Sequence, residues 1–212
     1  MIDKAKLGFW ELFTYFLIGL LISVFVTAYA IKFDYVSWAT LVKSIKGSGA
    51  VGIVVFPILL LVLGLIFEPF SNYSLTLIEK LPFLGRRESR GVAALEPFLT
   101  KYISEDLVNI QRFRYCKAVV EQNFPNSNVS VFLARFGFYR SLGILMLVLF
   151  PITLAMIDIT PCSALISSIY LLLSLIFIKR AQSFKGHMEY EVFFNFIAYR
   201  ENVIFKGENS KS

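Results

Sequence analysis

Four long apolar runs divide the chain, at positions 9–31, 49–67, 142–157 and 162–178, and polar or mixed segments separate them. Two of the runs reach the roughly 20 residues that a helix needs to cross a hydrocarbon core. A backbone inside lipid must satisfy its own hydrogen bonds, so each run is expected to be a helix. The mixed segments carry a helical period of their own. Leu75, Leu77, Ile78 and Leu81 suggest a short helix closed by Pro82, and Leu95, Phe98, Leu99, Tyr102, Ile103, Leu107, Ile110 and Phe113 predict one amphipathic helix, with Pro97 in its first turn and its end before Pro125. Ser127 or Asn128 can cap a helix that runs on into the third apolar run, and 128–157 at about 1.5 Å per residue spans about 45 Å, longer than the membrane core. After Gly186, the segment 189–205 is again helical in pattern, expected to pack on the central helix or on the membrane surface.

Polar residues inside the runs define stripes. Glu11, Tyr15, Gly19, Ser23 and Thr27 recur every four residues of the first run, which places them on one helix face. In the fourth run Ser163, Ser167 and Ser174 share a face, and the expected partner of that face is the Gly19/Ser23/Thr27 stripe. Such stripes serve close helix packing or line a water-filled path. Pro57 predicts a kink in the second helix and Pro151 one in the third. Glu68, just before Pro69, falls where the second run ends; it is an acid at the cytoplasmic interface, solvated or paired with one of the nearby arginines, or a gating or ion-sensing group.

Composition and charge then set class and orientation. The 212 residues are 57% hydrophobic, with mean hydropathy +0.67 and net charge +6, far from a soluble domain. With the N-terminus in the cytoplasm, all Lys and Arg except Lys32, Lys43 and Lys46 fall on the cytoplasmic side, as the positive-inside rule requires. Both termini are therefore expected in the cytoplasm, and the sequons at Asn72 and Asn128 become chance matches. The first run is too long for the h-region of a cleaved signal and is read as a retained helix. Cys116 and Cys162 are expected on opposite sides, without a disulfide.

The chemistry is sparse. Gly47, Gly49 and Gly52 match G-x-G-x-x-G, but no strand precedes them and the following helix enters the membrane, so they are read as shaping a turn and a tight contact, not a nucleotide site. The one histidine, His187, has no catalytic or metal-binding companions, and neither a G-x-S-x-G elbow nor a Walker sequence occurs. No span carries a charge near its centre, which argues against ion-coupled transport. No catalytic residue, cofactor or metal is assigned, and the chain is read as a non-enzyme. The basic residues are Arg86, Arg87 and Arg90 near the membrane exit, Arg112 and Arg114 with Lys117 on the later helix, and Arg135 and Arg140, expected to snorkel beside the aromatics Phe132, Phe136, Phe138 and Tyr139. They set topology, or they hold lipid headgroups or a phosphorylated ligand.

The segments Gly8-Phe9-Trp10-Glu11-Leu12-Phe13-Thr14-Tyr15 and Ala134-Arg135-Phe136-Gly137-Phe138-Tyr139-Arg140-Ser141 resemble the entry segments of small four-span membrane proteins of bacterial antiphage defence systems, such as the Kiwa membrane subunit and CRISPR-accessory membrane proteins. The resemblance implies a membrane-resident sensor or effector in the bacterial inner membrane that works with a soluble cytosolic partner; it transfers no catalytic residue.

The expected architecture is an all-α integral membrane protein with four transmembrane helices and a small helical cytosolic unit. It comprises a first transmembrane hairpin at 1–70, a cytosolic helical segment at 71–128, a second hairpin at 129–180 whose first helix extends into the cytosol, and a cytosolic C-terminal helix and tail at 181–212. The expected partners are the lipid bilayer, further copies of the chain and a soluble cytosolic protein, with no direct nucleic-acid binding. Three functions are open: an oligomeric sensor or effector that perturbs the membrane or recruits a partner, an anchor or scaffold without conductance, and a lipid-modifying enzyme.

Overall fold

The computed structural model describes residues 9–80, 90–103, 109–124, 127–156 and 161–209. These form seven helices: α1 (Phe9–Lys32), α2 (Trp38–Gly47), α3 (Gly49–Ile78), α4 (Arg90–Tyr102), α5 (Asn109–Asn123), α6 (Val129–Met156) and α7 (Pro161–Asn209). Helices α1, α3, α6 and α7 are long and apolar enough to cross a membrane, so the chain is an all-α, multi-pass membrane protein. Two compact units result, one from Met1–Gly85 with Gly137–Ala181, the other from Arg86–Phe136 with Gln182–Ser212. Helices α6 and α7 contribute residues to both.

In the first unit α1 and α3 pack antiparallel at two points of backbone contact. A Cβ on Gly19 would overlap the Leu60 carbonyl, and one on Gly64 would overlap the Tyr15 carbonyl. Lipid is as apolar as leucine, so helices inside it associate by close packing, and glycine makes the closest approach possible. The adjacent face of α1 carries Ile18, Leu21, Ile22, Phe25 and Tyr29 into a cluster with Leu142, Leu145, Met146 and Leu149 of α6 and Tyr170, Leu173 and Phe177 of α7. Gly143 of α6 lets α7 approach closely, since a Cβ there would lie 2.9 Å from Cγ1 and 3.1 Å from N of Ile178. Outward, Val51, Ile53, Val54 and Ile66 of α3 and Leu165 and Leu172 of α7 are exposed, the surface expected of helices solvated by lipid.

The second unit has a conventional apolar core. Val92 and Leu99 from α4, Ile103 just after it, Cys116 and Val120 from α5, Val129 from α6 and Met188, Val192, Phe193, Phe196 and Ile197 from α7 are buried together. The segment 189–205 thus packs on the central helix, as one of its two expected placements had it.

Several elements depart from the sequence reading. The expected short helix with Leu75, Leu77 and Ile78 is the end of α3, which continues through Pro69 to Ile78, while Leu81 and the closing Pro82 lie outside the described residues; a proline removes one i to i−4 bond, and packing carries the helix past that loss. The single amphipathic helix expected to run from about Leu95 to before Pro125 is two helices, α4 and α5, and Pro97 lies inside α4, not in its first turn. Positions 104–108, between them, lie outside the described residues. Helix α7 runs unbroken through Gly186 for 49 residues, about 73 Å at 1.5 Å per residue. Pro161 opens it, the first-turn position expected of it, whereas the proposed cap Thr160 lies outside the described residues. Helix α2 was not foreseen.

The two glycine contacts have a direct consequence. Gly19→Val or Gly64→Val should lower the stability of the detergent-solubilised protein by about 1–3 kcal/mol, the usual cost of overpacking. Gly47→Ala, where an added Cβ meets nothing within 4 Å, should leave the unfolding midpoint unchanged. Thermal unfolding followed by circular dichroism separates the two outcomes.

Candidate functional site

One turn beyond Gly64, α3 places Glu68, Ser71 and Asn72 at i, i+3 and i+4, on a single face. Against this face α6 sets Arg140 and Ser141. The Arg140 guanidinium donates from Nη2 to Oε1 of Glu68 at 2.5 Å, from Nη1 to Oδ1 of Asn72 at 3.0 Å and from Nε to Oγ of Ser71 at 3.3 Å. Ser71 donates to the Glu68 carbonyl at 2.8 Å and lies 3.0 Å from the Ser141 hydroxyl. With the one Ser71 proton committed to that carbonyl, Ser141 donates and Ser71 accepts twice.

The Arg140 side chain is 6% exposed and that of Glu68 36%. Arg140 therefore does not snorkel, as the sequence suggested, but is buried. It can stay charged there because three acceptors from one turn of α3 replace its water. Glu68 is the paired interfacial acid. Ser71, Asn72 and Ser141 were not read as partners of a buried charge, although the i+3 and i+4 spacing from Glu68 was a usable signal for the first two.

The hydroxyl stripes are distributed differently from the expectation. Gly19 and Tyr15 face α3, and continuing their antiparallel register sets Ser23 level with Phe56 and Thr27 level with Gly52; both residues are half-buried. At Gly19 and Tyr15 the first-helix stripe packs on α3. Ser163, Ser167 and Ser174 are buried. Ser167, Ser174, Ile178 and Ala181 share one face by their spacing, and Ile178 on that face meets Gly143, so the serine face turns to α6. The Ser167 and Ser174 hydroxyls have no hydrogen-bond partner. Near the start of α7 in the same unit, Cys162 is exposed and free. On α1, Tyr29 donates to Thr153 at 2.6 Å, and Thr153 donates on to the Leu149 carbonyl at 2.7 Å.

The remaining basic candidates do not form one patch. In the second unit Arg112 donates to Glu96 at 2.6 Å, Arg200 donates to the Tyr115 hydroxyl at 2.8 Å and lies 5.5 Å over the Phe196 ring, and Arg135 lies 5.6 Å over Phe184. Arg114 is exposed. Arg86 and Arg87, and the side chain of Arg90, lie outside the described residues. His187 stacks on Phe132 at 6.0 Å. Cys116 is free and buried, and burial pushes its thiol up to about 12, with Arg112 and then Arg200 pulling more weakly the other way.

Two tests arise from this geometry. Arg140→Gln should destabilise the protein by about 2–4 kcal/mol, somewhat under the cost of breaking a fully buried pair because Glu68 is partly exposed, and Glu68→Gln, which keeps an acceptor for the guanidinium, should cost less; unfolding midpoints in detergent decide the order. The raised thiol of Cys116 contributes stability that is complete below its unfolded value near 9.0 and is lost as pH rises toward about 12. The stability difference between the wild type and Cys116→Ala should accordingly be flat below pH 9.0 and shift against the wild type above it. Set beside known proteins, the chain matches no family model, no curated protein and no solved structure.

Proposed function

We propose that the protein is an oligomeric membrane sensor and effector, acting in bacterial antiphage defence in the inner membrane, with both termini and the second unit in the cytoplasm. The observation that carries this reading is the continuity of α6: the helix whose Val129 belongs to the core of the second unit also carries Arg140, which holds α3 of the first unit through Glu68. A soluble protein or ligand that reshapes the second unit acts on a helix that is also part of the membrane bundle. Breaking the Arg140–Glu68 pair would cost a few kcal/mol, enough to shift an equilibrium by one to three powers of ten. The one-sided distribution of basic residues supports the orientation, and the resemblance of the 8–15 and 134–141 segments supports the defence role. The anchor reading is favoured by a separate observation, the direct backbone packing at Gly19 and Gly64, which uses the polar stripe for cohesion instead of a path. A lipid-modifying enzyme finds no support in the geometry, because the interfacial acid it would need is engaged by Arg140.

The test is reconstitution of the full chain into phosphatidylethanolamine/phosphatidylglycerol vesicles, reading oligomer size, dye release on addition of the cytosolic partner, and labelling of Cys162 by an impermeant maleimide in intact cells. An oligomer that leaks on trigger, with a threshold displaced by Glu68→Gln and with Cys162 reactive from outside, supports the proposal. A monomer that never releases dye establishes the anchor reading, and Cys162 reactive only in inside-out vesicles inverts the orientation.

A further inference from the structure

Helix α2 joins the first two spanning helices, and its apolar side is only partly covered by protein, with Leu41 and Val42 half-buried. At roughly 100° per residue, Trp38, Leu41, Val42 and Ile45 fall in one stripe, with Lys43 and Lys46 on one flank and Thr40 and Ser44 on the other. None of its residues is buried, and Trp38 and Ile45 are 64% and 65% exposed. In water, an uncovered stripe of this kind is a liability.

The joins leave α2 little freedom of place. Helices α1 and α3 pack antiparallel and are both long enough to span, so the segment between them starts and ends at the same membrane surface. Positions 33–37 lead into it and Ser48 alone leads out. Each join turns on a residue in the left-handed region, Asp34 at φ 58° and Gly49 at φ 53°. Ser37 caps the helix, its Oγ accepting from the Thr40 N–H at 3.1 Å. Two tight reversals and a one-residue exit hold α2 at the level where the spans end.

We propose that α2 is a lipid-binding helix that lies in the bilayer interface, with Trp38, Leu41, Val42 and Ile45 sunk at the boundary between headgroups and acyl chains and with Lys43 and Lys46 on lipid phosphates. The occupant is the bilayer because the stripe continues the surface of two lipid-solvated helices. Tryptophan is the residue that suits headgroup depth. Lys46 sits beside Val42 on the helix wheel, so its aliphatic stem can run along the stripe while its ammonium rises to the phosphates. This inference is independent of the sensor reading and of which side of the membrane α2 occupies.

The experiment uses the full chain with Trp10→Phe, which leaves Trp38 as the sole indole, in phosphatidylcholine vesicles with and without phosphatidylglycerol. Lipids brominated near the top of the acyl chain should quench Trp38 at least about twofold more than lipids brominated near its end, as insertion of about 5–10 Å requires. Acrylamide should quench weakly, and Ile45→Asp should reverse both results. Added phosphatidylglycerol should deepen the bromolipid quenching, and Lys43→Gln with Lys46→Gln should remove that dependence. If Trp10→Phe does not fold, subtracting the signal of Trp38→Phe from that of the wild type gives the same readout. Free quenching by acrylamide with none by bromolipid would overturn the proposal, since α2 would then stand in water. Protection from both quenchers would overturn it equally, because a second copy or another protein would then cover the stripe.

Discussion

A guanidinium that is almost entirely out of water dictates what may stand beside it, and in this protein Arg140 is that group. Apolar packing sets little about how two greasy helices are rotated against each other, because lipid competes on equal terms for the same surfaces. Arg140 removes that freedom in the first unit. Its three donors find a carboxylate, an amide and a hydroxyl within one turn of α3, and a rotation or slide of α3 by one residue would carry all three away together. Helix α3 is in turn fixed to α1 by backbone contacts at Gly19 and Gly64. The depth and rotation of α1, α3 and α6 are thus tied to one polar cluster and two glycines.

The four spans were legible because their signal is long, apolar and independent of any partner. The errors concern local breaks. Pro69 and Gly186 are reasonable helix ends when only propensity is weighed, yet both lie inside helices, since tertiary packing outweighs the one bond or the roughly 1 kcal/mol that each costs. Helix α2 escaped notice for the opposite reason: ten residues with two lysines, a serine and a threonine among five apolar positions read as a loop unless their spacing is checked. Glu68 stood out in the sequence, but its partner lies 72 positions away. Nothing local distinguishes Arg140 from Arg135 five residues earlier; only the α3–α6 register makes the first buried and leaves the second exposed over an aromatic ring.

The polar stripes show the same division between what spacing implies and what register decides. Spacing correctly grouped Gly19 with Tyr15 and Ser167 with Ser174, because the period of a helix is intrinsic. Which neighbour each face meets is a property of the bundle: Gly19 meets α3 at Leu60, and Ile178, on the serine face of α7, meets Gly143 of α6. The unpartnered hydroxyls of Ser167 and Ser174 mark the less committed of the two surfaces, since a hydroxyl in an apolar interior gains by finding any acceptor.

The contacts of α3 differ in how they yield. At Gly19 and Gly64 the neighbours are backbone carbonyls, which cannot rotate aside, and any slide of α1 past α3 drives Cα and carbonyl atoms into each other before new contacts form. The cluster around Arg140 consists of side chains, and each of its hydrogen bonds can be exchanged for one to water or to a lipid phosphate at a cost of about 1–3 kcal/mol. A displacement of α6 therefore separates it from α3 at Glu68 before it separates α3 from α1. Of the contacts that α3 makes, the backbone ones to α1 are therefore the stiffer, and the side-chain ones to α6 at Glu68 and Arg140 can be exchanged one bond at a time.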